Sequence, residues 1–151
     1  MRKKRILLLL ACFALFACDY PLHLYHYDEL VESVTRVELI NYHNPDAKTI
    51  RGTENLLPFD FDKMEIIATM RKEMFDAFFK EFTKYDIFYR SKHLDSPKGR
   101  SIRLIYENDD FEIVCKAEYS GRFDNNGNVM SNIGDGLSYV FEDLISRYFD
   151  L

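Results

Sequence analysis

Residues 101–119 read SIRLIYENDDFEIVCKAEY, and their pattern decides the fold class. Two strand-favouring stretches, 101–108 and 111–119, flank Asn108-Asp109-Asp110, a polar trio suited to a tight turn. In the second stretch Phe111, Ile113, Cys115, Ala117 and Tyr119 alternate with Glu112, Val114, Lys116 and Glu118. A period of two puts the first set on one face of a sheet and the second set on the other. The spacing predicts an antiparallel pair with one apolar side and one more polar side.

Toward the C-terminus, Asn125-Asn126-Gly127-Asn128 signals a second hairpin, because Asn-Gly supplies the positive φ values of a tight turn. Residues 135–149, DGLSYVFEDLISRYF, carry Leu137, Val140, Phe141, Leu144 and Tyr148 on one helical stripe, with Asp135 as the expected cap. Toward the N-terminus, Met74, Phe75, Phe78, Phe79, Phe82 and Tyr85 form a stripe across Lys72–Tyr85. Lys72, Glu73, Asp76, Lys80, Glu81 and Lys84 cover the opposite face of that helix. Residues 34–42, 63–70 and 86–90 read as strands, and Asp28 as the cap of a short helical turn through Ser33. Residues 43–62 are loop-like, punctuated by Pro45, Gly52 and Pro58. This order implies an α+β domain: a single antiparallel sheet of about five strands with two amphipathic helices packed on one face.

The chain begins Met1-Arg2-Lys3-Lys4-Arg5, and an uncharged run of 12 residues follows from Ile6 to Ala17. A helix of that length rises about 18 Å, well short of a hydrocarbon core of about 30 Å. A basic head on a short apolar run is the layout of a secretory signal. Leu15-Phe16-Ala17-Cys18 then resembles the lipobox of bacterial prolipoproteins, Leu-x-(Ala/Gly)-Cys. That resemblance covers residues 1–19 only, and Phe16 stands where a small residue is usual. It implies signal cleavage between Ala17 and Cys18 and lipidation of Cys18, whose thiolate is the nucleophile that forms the thioether. Leu9-Leu10-Ala11-Cys12 fits the same pattern, but cutting there would leave an apolar run of six residues, Ile6 to Ala11, before the cut. Asp19 after the lipidated cysteine resembles an inner-membrane retention signal of some Gram-negative bacteria. Which membrane holds the chain is left open.

The implied organisation is a signal peptide over 1–17, a lipidated N-terminus and short tether over 18–27, and one globular domain over 28–151. The mature chain is 151 − 17 = 134 residues and loses four basic groups, so 16 basic face 25 acidic residues, a balance of −9. Such a chain is a poor partner for nucleic acid, whose affinity comes from neutralising phosphates. It is equally poor as a polybasic membrane patch. Two or more acyl chains, rather than charge, would hold it to the bilayer. With Cys12 removed and Cys18 lipidated, Cys115 is the remaining cysteine, so no intrachain disulfide forms and packing must supply stability.

Other candidate sites have plainer readings. Cys115 falls on the apolar face of its strand and behaves there as a small hydrophobe. His23, His26 and Asp28 compose a metal-ligand set by type, but they interleave with Tyr20, Tyr25 and Tyr27 beside the anchor, as tether residues would. Asp124, Asn126, Asn128 and Asp135 imitate a calcium loop. Val129 occupies the position where that loop needs glycine, and a hairpin turn is expected instead. Glu54, Asp60, Asp62, Asp109 and Asp110 read as a solvated acidic surface. No phosphate loop, nucleophile elbow or metalloprotease histidine pair is present, and no cofactor or metal is expected.

The expectation is a non-enzymatic lipoprotein on the extracytoplasmic side of a bacterial membrane that binds a protein or peptide. A scaffold within an envelope complex and a hydrolase using ungrouped acids are the alternatives. Small α+β bacterial lipoproteins, some of them inhibitors or immunity factors, resemble this arrangement at the level of fold class. Cys18→Ser is expected to abolish both lipid labelling and membrane retention; persistence of labelling in that variant would move the anchor to Cys12.

Overall fold

The computed structural model describes residues 26–44, 58–84, 87–88, 99–115, 120–135 and 140–151. Helix α1 (Tyr27–Ser33) runs directly into strand β1 (Val34–Tyr42). Strand β2 (Met64–Thr69), helix α2 (Phe75–Phe82), and strands β3 (Ile87–Phe88), β4 (Gly99–Tyr106), β5 (Phe111–Cys115), β6 (Ser120–Phe123) and β7 (Val129–Asp135) follow, then helix α3 (Phe141–Tyr148). Single 3-10 turns at Phe61–Lys63 and Lys72–Met74 lead into β2 and α2. The α+β class and the antiparallel sheet agree with the sequence pattern. The sheet is larger than expected. Six strands run in the order β2-β1-β4-β5-β6-β7, and the two-residue β3 pairs with β7 at the far edge. Every pairing is antiparallel.

Three helices, not two, cover one face. In α2, Phe75, Phe78, Phe79 and Phe82 recur at the spacing of one helical face, and the last three are buried. In α3, Phe141, Leu144 and Ile145 are buried on the same principle. These side chains meet Leu30 of α1 and Val34, Val37, Leu39, Ile102, Leu104 and Val114 of the sheet in one core. Val34 and Val37 share that core although they stand three positions apart, an odd step that would set them on opposite faces of a regular strand. The register slips between Val34 and Arg36, and the bulge inserts the residue that realigns the two valines.

Two expected caps are corrected. Asp28 lies inside the first turn of α1, whose N-cap is His26. Asp135 does not cap the last helix. It ends β7, paired with Ile87, whereas the N-cap of the last helix is Val140, too far along the chain for the Asp135 side chain to serve the helix N-terminus. Accordingly, α3 begins at Phe141.

The opposite face, which the alternation marks as the apolar side, is buried as well, so neither side of the sheet is polar. Every residue of β5 is buried. Phe111, Ile113 and Cys115 join Ile40, Tyr42, Phe59, Ile105 and Phe123 in a second core. Val114, on the side expected to be polar, faces the helices. The cover on the second face is the chain around Phe59, not a helix. The Phe59 ring stacks on Tyr42 at 4.3 Å and meets Phe111 edge-on at 5.1 Å. The Asp60 N–H donates to the Tyr42 hydroxyl at 3.0 Å.

Both central hairpin turns have one design. In each, a three-residue loop is closed by a backbone N–H to the residue four positions on: Tyr106 to Asp110 at 2.9 Å, and Asp124 to Asn128 at 2.9 Å. The third loop residue is left-handed in both, Asp109 at φ 63° and Gly127 at φ 84°. Asn126 has no positive φ, so the Asn-Gly pair works through its glycine alone. Gly127 has a second reason to be glycine. Its carbonyl accepts the Phe59 N–H at 2.7 Å, and an added Cβ would lie 2.5 Å from the Phe59 carbonyl oxygen.

Gly127→Ala is therefore expected to cost more than about 1 kcal/mol in urea denaturation, since strain and a backbone clash coincide. Asp109→Gly, at the matching exposed position, is expected to stabilise by about 0.5 kcal/mol by removing a left-handed non-glycine residue.

Candidate functional site

A cleft of about 370 Å³ opens on the helix face of the sheet, where α1 crosses β4, β5 and β6. His26, Glu29, Leu30, Glu32 and Ser33 of the α1 segment form one wall, and Tyr106, Glu112 and Arg122 form the other. The sheet side follows from strand pairing. Glu112 and Arg122 stand directly opposite one another in the β5–β6 ladder. Their side chains share a face.

Glu112 is buried, and its carboxylate accepts the Tyr106 phenol. The Arg122 Nε lies 3.8 Å from Glu112 Oε1, within ion-pair range, and makes no hydrogen bond there. The same guanidinium sits 5.3 Å over the Tyr106 ring. Burial pushes the Tyr106 phenol well above its ordinary value, and the Glu112 charge adds to the rise. The floor of the cleft is thus a mutually engaged set, a protonated phenol, a buried carboxylate and a guanidinium, in which the Arg122 Nε is left without a hydrogen-bond partner among the described residues. Glu29, Glu32 and His26 on the rim are exposed. Such an arrangement can present acceptors and one cation to a polar guest.

A second polar pair occupies the other face. Arg103 and Glu38 are cross-strand partners of β4 and β1, and Arg103 Nη1 donates to Glu38 Oε2 at 3.2 Å. Their side chains are 10% and 3% exposed. Arg36 Nε holds the other carboxylate oxygen at 2.9 Å. The Arg103 guanidinium lies 4.4 Å from the Phe111 ring centroid and 5.4 Å from that of Phe61. Burial draws it below its ordinary value against the pull of Glu38. Beyond Phe61, an open groove of about 550 Å³ runs along Asn44 and residues 58–62.

The structure separates most of the residues singled out in the sequence. Ala17, Cys18, His23 and Glu54 lie outside the described residues. His26 reaches the cleft rim, while Asp28 is exposed elsewhere in the first turn of α1. Among the described residues no three His, Cys, Asp or Glu side chains group as a metal site. Cys115 is buried, and its sulfur accepts the Ser101 hydroxyl at 3.2 Å.

Asp124 accepts the backbone N–H groups of Asn126 at 2.9 Å and Asn128 at 2.8 Å, so it closes its own hairpin loop. The side-chain amide of Asn128 and these backbone donors hold its carboxyl below the ordinary range. Asp60 accepts the Asp62 N–H in the turn before β2. Asp110 accepts the Asn125 N–H at 3.1 Å and so ties the two hairpin loops together. These acids serve local turns rather than one shared surface.

Sequence reasoning missed Glu29, Glu32, Tyr106, Glu112 and Arg122 as one group. A signal existed: Glu112 sits between Phe111 and Ile113 in a strand where a solvated acid is out of place once both faces are covered. No helix among the described residues is long and apolar enough to cross a membrane. Comparison of the chain with protein-family models, curated proteins and solved structures finds no match.

The Tyr106 shift has a direct consequence for stability. The phenol titrates above its ordinary value near 10 in the folded chain. The unfolded chain therefore releases this proton first, and stability present below about pH 10 declines as pH rises beyond it. Tyr106→Phe is expected to flatten that decline in urea denaturation followed across about pH 9 to 11.

Proposed function

We propose that this chain is a non-enzymatic lipoprotein that binds an extracytoplasmic protein or peptide through the cleft between α1 and the sheet. The observation that carries this reading is the state of the cleft floor. Tyr106, Glu112 and Arg122 are engaged with one another, which suits fixed recognition of polar groups better than activation of a nucleophile. The exposed rim residues His26, Glu29 and Glu32 supply further polar contacts to a guest.

Position favours a partner near the bilayer. His26 is eight residues beyond Cys18. A fully extended segment of that length spans at most about 28 Å, which bounds how far the cleft stands from a lipid on Cys18. The lipobox resemblance and the short lead-in together support this anchored arrangement.

A photo-crosslinking residue replacing Glu32 in the full-length chain, expressed in its own cells, tests the reading. One discrete adduct with an extracytoplasmic protein is expected, and reversing the exposed rim charge with Glu29→Arg should remove it while leaving the circular dichroism spectrum unchanged. A folded chain that gives no adduct, or an adduct indifferent to Glu29→Arg, would overturn the assignment of the cleft.

A further inference from the structure

We infer that helix α1 is a releasable wall of the cleft, held closed at its N-terminal end by a clasp of Tyr27, Asp76 and Lys80. The Tyr27 hydroxyl donates to Asp76 Oδ1 on α2. Lys80, one turn further along α2, donates to Asp76 Oδ2 at 2.8 Å. Its ammonium also lies 5.6 Å from the Tyr27 ring centroid. The three groups therefore close on one another, and the donors from Lys80 and Tyr27 hold the Asp76 carboxyl below its ordinary range.

Little else fastens α1. Among the described residues this is the one side-chain hydrogen bond from α1 to another element. Leu30 is its one buried residue, and the Tyr27 ring, partly buried, packs against the same core. The N-cap His26 makes no side-chain cap bond, and no basic residue stands in the last turn. Seven residues are too few to stay helical away from the sheet. The C-terminal end is held differently. Ser33 passes straight into Val34 of β1, which the ladder with β4 fixes opposite Tyr106.

The wall is thus hinged at one end and latched at the other. Five of the eight residues that line the cleft belong to α1 or its cap. The floor residues Tyr106, Glu112 and Arg122 stand on β4, β5 and β6 and keep their places when α1 leaves. Asp76 and Lys80 are 60% and 61% exposed, so the clasp is a weak tie. A weak tie on a short element with one buried residue opens at a lower free energy than the fold as a whole. A guest too large for the closed cleft of about 370 Å³ enters when the clasp parts.

Hydrogen exchange of the full-length chain in detergent, read by mass spectrometry on peptides from α1, α2 and β5, tests the wall. The α1 peptide is expected to be protected, but at least about tenfold less than that of β5. Low urea should change its exchange little, because releasing α1 exposes little surface. Tyr27→Phe keeps the ring and removes the donor, and it should quicken exchange in α1 by about twofold to fivefold, the range of an exposed polar pair. Asp76→Ala should do the same, and the double variant should be no faster than the faster single one. An α1 as protected and as urea-sensitive as β5 would mean that it leaves only with the whole fold, and would overturn the proposal. So would an α1 with no protection in the parent, unchanged exchange in Tyr27→Phe, or a double variant in which the two effects add. None of these outcomes depends on what the cleft binds.

Discussion

Arg103 and Glu38 face one another across β4 and β1, and the arrangement of the sheet depends on that pairing. A guanidinium and a carboxylate this deeply buried must be matched, because either one left alone would carry an uncompensated charge into the core. A slip of one residue between β1 and β4 would move Arg103 to the helix face and set it among Phe78, Phe79 and Phe82. The correct register instead places it over Phe111 and beside Phe61, with Glu38 as its counter-charge and Arg36 on the other oxygen of that carboxylate. The aromatic cover around Phe59 closes over the pair, and the Arg103 Nε beneath it has no hydrogen-bond partner among the described residues.

A related device operates on the other side of the sheet. Glu112 and Arg122 are also cross-strand partners, two ladders further along, and they point toward the helices. Where α1 passes over them, a polar floor is preserved inside an otherwise apolar layer. The cleft follows from that. The large side chains of α2 and α3 fill the rest of the helix face, while α1 contributes Leu30 alone as a buried residue and leaves room beside it. The fold thus holds one cross-strand ion pair on each face, one sealed by rings and one lining the open cleft.

Much of the fold was legible from local pattern. The phenylalanine stripe of α2, the apolar spacing within α3 and the alternation through 111–115 are properties of single elements, and each formed near its expected place. The misplaced features are those in which a distant segment competes for the same residue. Asp135 has the chemistry of a helix cap, yet its backbone is committed to the ladder with Ile87. Val114 and Glu112 look solvent-facing beside Phe111, Ile113 and Cys115, yet α1, α2 and α3 lie over them. The acids near the hairpins resemble ligands by spacing, yet Asp110 and Asp124 are occupied by backbone N–H groups of their own and neighbouring turns.

By itself the sequence determined the α+β class, the antiparallel hairpins, the two longer amphipathic helices and the burial of Cys115. Periodicity and turn chemistry act over a few residues, so one strand of text contains them. The tertiary structure alone decided that the sheet is buried on both faces, that Arg103 meets Glu38, and that Tyr106, Glu112 and Arg122 form one cleft with α1. Those outcomes depend on which strand lies alongside which. Residues 65 positions apart in Glu38 and Arg103 become neighbours only when long-range pairing sets the register.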